Sequence, residues 1–131
     1  MQETGRPAKP GPADELRLAH HYDRGITVIE VDGELDAFTC PLLRELLLSL
    51  LDRHQQQHLV IDMDKAVFID AAGLGVLVWA WHRLDSEQGT LALAGLPPRI
   101  RRVFDIAGLT GEVFTIHNST EQAIDTVKTK S

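Results

Sequence analysis

Two short runs of strand-like pattern open the structured part of the chain. Leu16 to Tyr22 and Ile26 to Val31 are separated by Asp23, Arg24 and Gly25, and Thr27, Val28, Ile29 and Val31 give the second run β-branched character. The pair reads as a β-hairpin. Gly33, Glu34, Leu35 and Asp36 follow as a turn, after which Thr39, Cys40 and Pro41 open a Leu-rich helix continuing to about Arg53. Leu42, Leu43, Leu46, Leu47, Leu50 and Leu51 recur at helical spacing, so one broad apolar face is expected to lie on a sheet. His54 to His58 is a polar connection, and Leu59, Val60 and Ile61 form the continuous apolar run of a strand covered on both faces.

Beyond it the pattern predicts a helix from about Ala72 to Ser86 and a strand from Thr90 to Ala94. A helix opened by Pro97 and Pro98, a strand from Val113 to Ile116 and a last helix from Thr120 to Lys128 complete the series. A hairpin followed by βαβα alternation implies the α/β class, with a mixed, mostly parallel sheet of four to five strands and helical crossovers.

Composition narrows the function classes. At 131 residues and 44% hydrophobic content the chain suits one core, and residues 15–131 read as a single domain behind a polar, Pro- and Gly-rich tail, residues 1–14, expected to be disordered. The formal net charge of −6 argues against nonspecific attachment to nucleic acid or an anionic membrane and directs attention to a protein partner. Cys40 is the only cysteine, so no intramolecular disulfide forms, and a cytoplasmic location is expected. The apolar or small stretch Ala71 to Trp81 is far shorter than the ~20 residues of a membrane-spanning helix, so no membrane insertion is expected.

The most informative stretch is the junction Val67 to Trp81, VFIDAAGLGVLVWAW. Asp70 precedes an apolar helix, where its carboxylate is placed to cap the free N–H groups. Gly73 and Gly75 offer close approach to another backbone or to a partner. Two motifs, Gly33-Glu34-Leu35-Asp36 and Phe68-Ile69-Asp70-Ala71-Ala72-Gly73-Leu74-Gly75, carry a resemblance to the STAS domain family of sulfate transporters and anti-sigma factor antagonists. The resemblance covers Leu16 to Lys128. It implies a small bacterial regulator that binds an anti-sigma factor, often a serine kinase, and so frees a sigma factor for transcription.

Such proteins usually carry a phosphorylatable Ser or Thr where this chain has Ala72. No Ser, Thr or Tyr occurs from Leu59 through Asp85, so a kinase has no acceptor in this segment. The implied partner surface runs from Asp36 and Asp70 through Ala71, Ala72, Gly73, Leu74 and Gly75 to Val76, Trp79 and Arg83. On the helix, Leu74, Leu77, Val78, Trp81 and Leu84 are expected to face the core, with Val76, Trp79, Ala80 and Arg83 opposite. A second reading of the same family is an accessory subunit docking on a membrane transporter ATPase. A small-ligand sensor is a third.

Other chemistry finds less support. Asp36, Asp62 and Asp70 all follow predicted strands and are expected to gather at one sheet edge, more suited to a basic partner than to Mg²⁺. His54 and His58 are expected to be solvated, Cys40 to be a small packed residue, and Arg99, Arg101 and Arg102 to line a solvated helix face. Neither a nucleophile with its base nor a phosphate-binding loop can be assembled, so no enzyme activity, cofactor or metal is expected.

Overall fold

Arg24 (φ 54°) and Gly25 (φ 83°) form a two-residue turn with both residues at positive φ, the geometry whose twist matches a hairpin. It joins strand β1 (Leu16–Asp23) to the antiparallel β2 (Ile26–Leu35), as the sequence predicts. The computed structural model describes residues 15–130, so the expected tail, residues 1–14, lies outside the described residues. Helix α1 (Cys40–Leu48) continues as a wider, π-helical turn through Ser49–Arg53, followed by β3 (His58–Ile69), α2 (Ala71–Ser86) and β4 (Thr90–Ala94). Helix α3 (Pro98–Ile106), strand β5 (Thr115–His117) and helix α4 (Thr120–Lys130) complete the chain. The five strands lie in the order β1-β2-β3-β4-β5, and every pair after the hairpin is parallel.

Two apolar layers cover the sheet. Ile29, Val31, Leu59, Ile61, Met63, Leu91 and Leu93 form the larger core with Leu43, Leu47, Leu50 and Leu51 of α1, Leu77 and Leu84 of α2, and Ile100 and Phe104 of α3. On the other side Val28, Val60, Ala92 and Ala94 meet Ala123, Ile124 and Val127 of α4. Burial on both faces explains the unbroken apolar run at Leu59 to Ile61. The π-helical turn brings adjacent Leu50 and Leu51 inward together, at 3% and 4% exposure.

Three local expectations change. Gly33 to Leu35 are not a turn but the end of β2, where Gly33 adopts φ 122° and where a Cβ would also overlap the Glu15 carbonyl oxygen, two reasons for glycine at this position. The last strand starts at Thr115: the Phe114 N–H donates to the Leu109 carbonyl and its carbonyl accepts from Gly111 N–H, each at 3.0 Å, while its ring packs edge to face on Phe104, 5.7 Å between centroids. The third change concerns α2. Val76 and Ala80, expected opposite the core, are buried, whereas Leu74, Val78 and Trp81 are only half-buried. The helix is enclosed by the sheet and by α1, so its apolar residues extend round most of its circumference and periodicity cannot single out one buried stripe.

β3 departs most from a simple strand. Between its pairings with Glu30 and Asp32 of β2, and again between those with Gly33 and Glu34, it carries an extra residue. These two bulges bend β3 as it approaches its end.

The junction of β3 and α2 depends on Gly73. A Cβ there would lie 2.5 Å from the Leu35 carbonyl oxygen and 2.9 Å from Leu35 Cγ, whereas at Gly75 no described residue outside its own helical turn lies within 4 Å. Gly73→Ala is expected to lower stability by about 2 kcal/mol through overpacking, and Gly75→Ala to raise it by about 0.5–1 kcal/mol through helix propensity. Urea denaturation of the two variants checks both signs.

Candidate functional site

The ends of β2 and β3 lie side by side, with Leu35 opposite Ile69, and the chain leaves each in a loop that starts a helix. The Asp70 N–H donates to the Leu35 carbonyl at 3.2 Å, holding the two exits together. Asp70 caps α2 as expected: one carboxylate oxygen accepts from Gly73 N–H at 3.1 Å, and the other accepts from Ala37 N–H in the facing loop at 3.3 Å. One side chain thus fixes a helix start and couples two loops.

The facing loop, Asp36 to Thr39, is closed by its own polar groups. An Asp36 carboxylate oxygen accepts from the N–H groups of Phe38 and Thr39, each at 2.9 Å. The fully buried Thr39 hydroxyl accepts from Asp36 N–H at 2.9 Å and donates to the Glu34 carbonyl at 2.7 Å. This arrangement leaves Phe38 half exposed, at 50%. Its sequence signal was an aromatic residue inside a polar turn.

Two more apolar residues emerge at the same end of the sheet. Val67 and Phe68, at the second bulge of β3, are 57% and 47% exposed, although an apolar doublet in a strand reads as core. Val67 also lines a cavity of about 390 Å³ with Ala66, Pro97, Pro98, Arg99 and Ile100. Ala71 and Gly75 are exposed beside them in sequence, Ala72 and Leu74 are half-buried, and Gly73 is buried. The junction therefore presents small and aromatic groups with little side-chain bulk at the start of α2.

The remaining expected site residues divide. Val76, at 5% exposure, belongs to the core and offers no surface, a correction to the expected partner face. Trp79 is half-buried, with the Arg44 guanidinium of α1 4.9 Å from its ring centroid, a cation–π contact between the helices. Arg83 donates to Glu87 at 2.8 Å and to Asp52 at 2.6 Å. Those bonds, Glu87 first, raise its pKa above the ordinary arginine value. Both residues thus have partners that fasten α2 to its surroundings.

Asp36 and Asp70 meet at this edge, but Asp62 does not. It lies inside β3 opposite Glu30 and Ala94, and accepts from Asp64 N–H at 3.0 Å. The strand runs on to Ile69, where the sequence suggested a break after Ile61. The acids that do converge are Glu15, Glu34 and Asp36, whose carboxylate oxygens lie within 4.8 Å of one another and give the edge a negative rim.

Outside the edge, His54 ends the π-helical turn while His58 begins β3 and pairs with the Thr90 hydroxyl at 2.9 Å, so the two do not share a helix face. Cys40 is half-buried and its thiol reaches the Ala37 carbonyl at 3.8 Å. Arg99, Arg101 and Arg102 are exposed on α3.

This geometry surrounds the motif that drew attention in the sequence, and the STAS domain model matches residues 19–123. The chain belongs to the STAS domain family. The anti-sigma-B factor antagonist of Listeria monocytogenes is 38% identical over 90 residues, covering 69% of this chain and 77% of that protein. The anti-sigma F factor antagonist of Paenibacillus polymyxa is 28% identical over 95 residues, covering 72% of this chain and 80% of that protein. In fold, an anti-sigma factor antagonist from Mycobacterium paratuberculosis superposes with a TM-score of 0.80 at 24% identity, over 91% of this chain and 99% of that one. Among the described residues of this STAS domain no helix is long and apolar enough to cross a membrane.

The Asp70 bridge gives a direct test of how the STAS edge is held. Asp70→Ala is expected to cost about 1 kcal/mol, the usual value of an N-cap, and to speed hydrogen exchange at the Gly73 and Ala37 amides. Asp70→Asn, which keeps only one acceptor oxygen, should retain the cap and the protection of the Gly73 amide but lose the protection of the Ala37 amide.

Proposed function

We propose that this STAS domain is an anti-sigma factor antagonist that binds an anti-sigma factor of the serine-kinase type through the edge formed by the β2–α1 loop and the start of α2. The observation that carries the reading is the surface around Gly75. A glycine inside a helix costs about 1 kcal/mol relative to alanine, and among the described residues nothing outside its own helical turn lies within 4 Å of where its Cβ would stand. Packing within the domain gives no reason for the glycine; close approach of a partner does. Exposed Phe38, Val67 and Phe68 add apolar contact at the same end of the sheet, and Asp36 and Glu34 add a negative rim suited to basic groups.

Ala72 defines how this binding is regulated. A phosphate at that position would add about −1.5 to −2 charge close to Asp70, and although the positive end of α2 would accommodate it, the acidic rim and a docked partner would not. Alanine keeps the edge permanently unmodified. The facing loop supplies no substitute acceptor, because the Thr39 hydroxyl is buried and bonded within the loop. Binding is therefore governed by the abundance of the two proteins and not by covalent marking at this site.

Calorimetric titration of the full chain with the serine-kinase-type anti-sigma factors of its own cell tests the proposal. One of them is expected to bind, Ala72→Glu to weaken that complex at least tenfold, and Gly75→Gln to weaken it while leaving the fold as stable as wild type or more so. With ATP present, the kinase should leave this loop of the wild-type chain unmarked but phosphorylate Ala72→Ser, releasing it. Phosphorylated Ala72→Ser that still binds with full affinity would contradict the charge mechanism, and failure to bind any such factor would sink the partner assignment.

A further inference from the structure

Among the described residues the two edges of the sheet are unequal. β5 is three residues long, whereas β1 presents eight residues at the opposite edge and pairs with β2 in an uninterrupted register from Leu16↔Gly33 to Asp23↔Ile26. Long flat edges invite another strand unless a proline, a bulge or a run of like charge blocks them. β1, LRLAHHYD, has no proline and no bulge, and its charges are of opposite sign at its two ends. In a hairpin closed by a two-residue turn the residues flanking the turn form a hydrogen-bonded pair, so the N–H and C=O groups of Leu18, His20 and Tyr22 point to the open edge.

We infer that β1 pairs with β1 of a second copy of this chain, antiparallel about a two-fold axis at His20, to form a continuous ten-stranded sheet. The sequence is self-complementary in this register. Arg17 stands opposite Asp23 of the other copy, Leu18 opposite Tyr22, Ala19 opposite His21, and His20 opposite itself. Each pair occurs twice except the last, as an isologous interface requires. A two-fold axis normal to the sheet permits slips by two residues only. One slip sets Glu15 against Asp23, like against like, and the opposite slip leaves Asp23 facing Ala19, so charge selects the register centred on His20.

Two observations about side chains agree. Tyr22 is among the few large apolar residues left exposed, at 60%, and its hydroxyl is held by the Gln56 side-chain amide at 2.7 Å, which fixes the ring at the edge where Leu18 of the second copy would cover it. The existing partners of the two charged ends lie within the same chain and on the surface: Arg17 with Asp32 at 4.0 Å and Asp23 with Arg24 at 3.1 Å. Exposed pairs of this kind contribute little and do not prevent exchange.

A strand edge buries less area than the ~1,200 Å² of a standard stable interface, so the association is weak and concentration-dependent. The dimer keeps both antagonist edges open, because β1 reaches Gly33 at the end far from the turn and the two-fold axis sends the two Asp70 junctions in opposite directions.

Sedimentation equilibrium of the full chain in ~0.15 M salt, which screens the net negative charge, tests the inference without reference to the anti-sigma partner. Dimer is expected to grow in up to about 1 mM protein. Arg17→Asp and Asp23→Arg should each weaken it about tenfold, and the double exchange Arg17→Asp with Asp23→Arg should restore it. His20→Pro, which removes one outward N–H at an edge where proline is tolerated, should abolish it, with circular dichroism confirming that the fold persists. A monomer throughout the range, or a dimer indifferent to these substitutions, overturns the inference.

Discussion

The contact on which this structure depends is the approach of the first turn of α2 to the end of β2. Gly73 lies so close to the Leu35 carbonyl that no side chain fits between them. That closeness lets Asp70 cap its own helix and reach across to Ala37 with the same carboxylate. The result is a rigid pair of loops at the ends of two parallel strands, the place where open α/β sheets usually present their functional groups.

Rigidity is supplied from both sides. On the β2 side the buried Thr39 hydroxyl and the Asp36 carboxylate satisfy the loop's own amides, which leaves Phe38 directed outward without a penalty of unpaired backbone groups. On the β3 side a bulge leaves Val67 without a partner in the β2 ladder, and Val67 and the paired Phe68 beside it are both exposed. Polar groups thus hold the framework while apolar groups occupy the surface. This is the reverse of the distribution that solubility alone would favour, and it leaves aromatic and aliphatic contact area available to the partner proposed above.

α2 links this edge to the rest of the molecule. Val76, Leu77, Ala80 and Leu84 anchor it in the core, Trp79 stacks with Arg44, and Arg83 joins Asp52 and Glu87. Its first turn, by contrast, is lined by alanines and glycines. A helix clamped along its length with an unencumbered start fits the docking role proposed above, since a surface that holds its shape beforehand lowers the ordering cost of association.

Much of this was legible in local sequence. The hairpin, the alternation of later elements, the family motifs and the capping role of Asp70 all follow from short-range chemistry, because a turn, a cap and an apolar period are each set by neighbours along the chain. The absent hydroxyl at position 72 is likewise a property of sequence alone. Tertiary structure decided what depends on register and enclosure. It extended β2 through Gly33 and β3 to Ile69, removed Asp62 from the acidic edge, exposed Val67 and Phe68, and buried Val76. Two physical reasons recur: a bulge shifts which face a strand residue occupies, and a helix covered on several sides has no single polar face, so neither outcome is encoded in the period of the residues themselves.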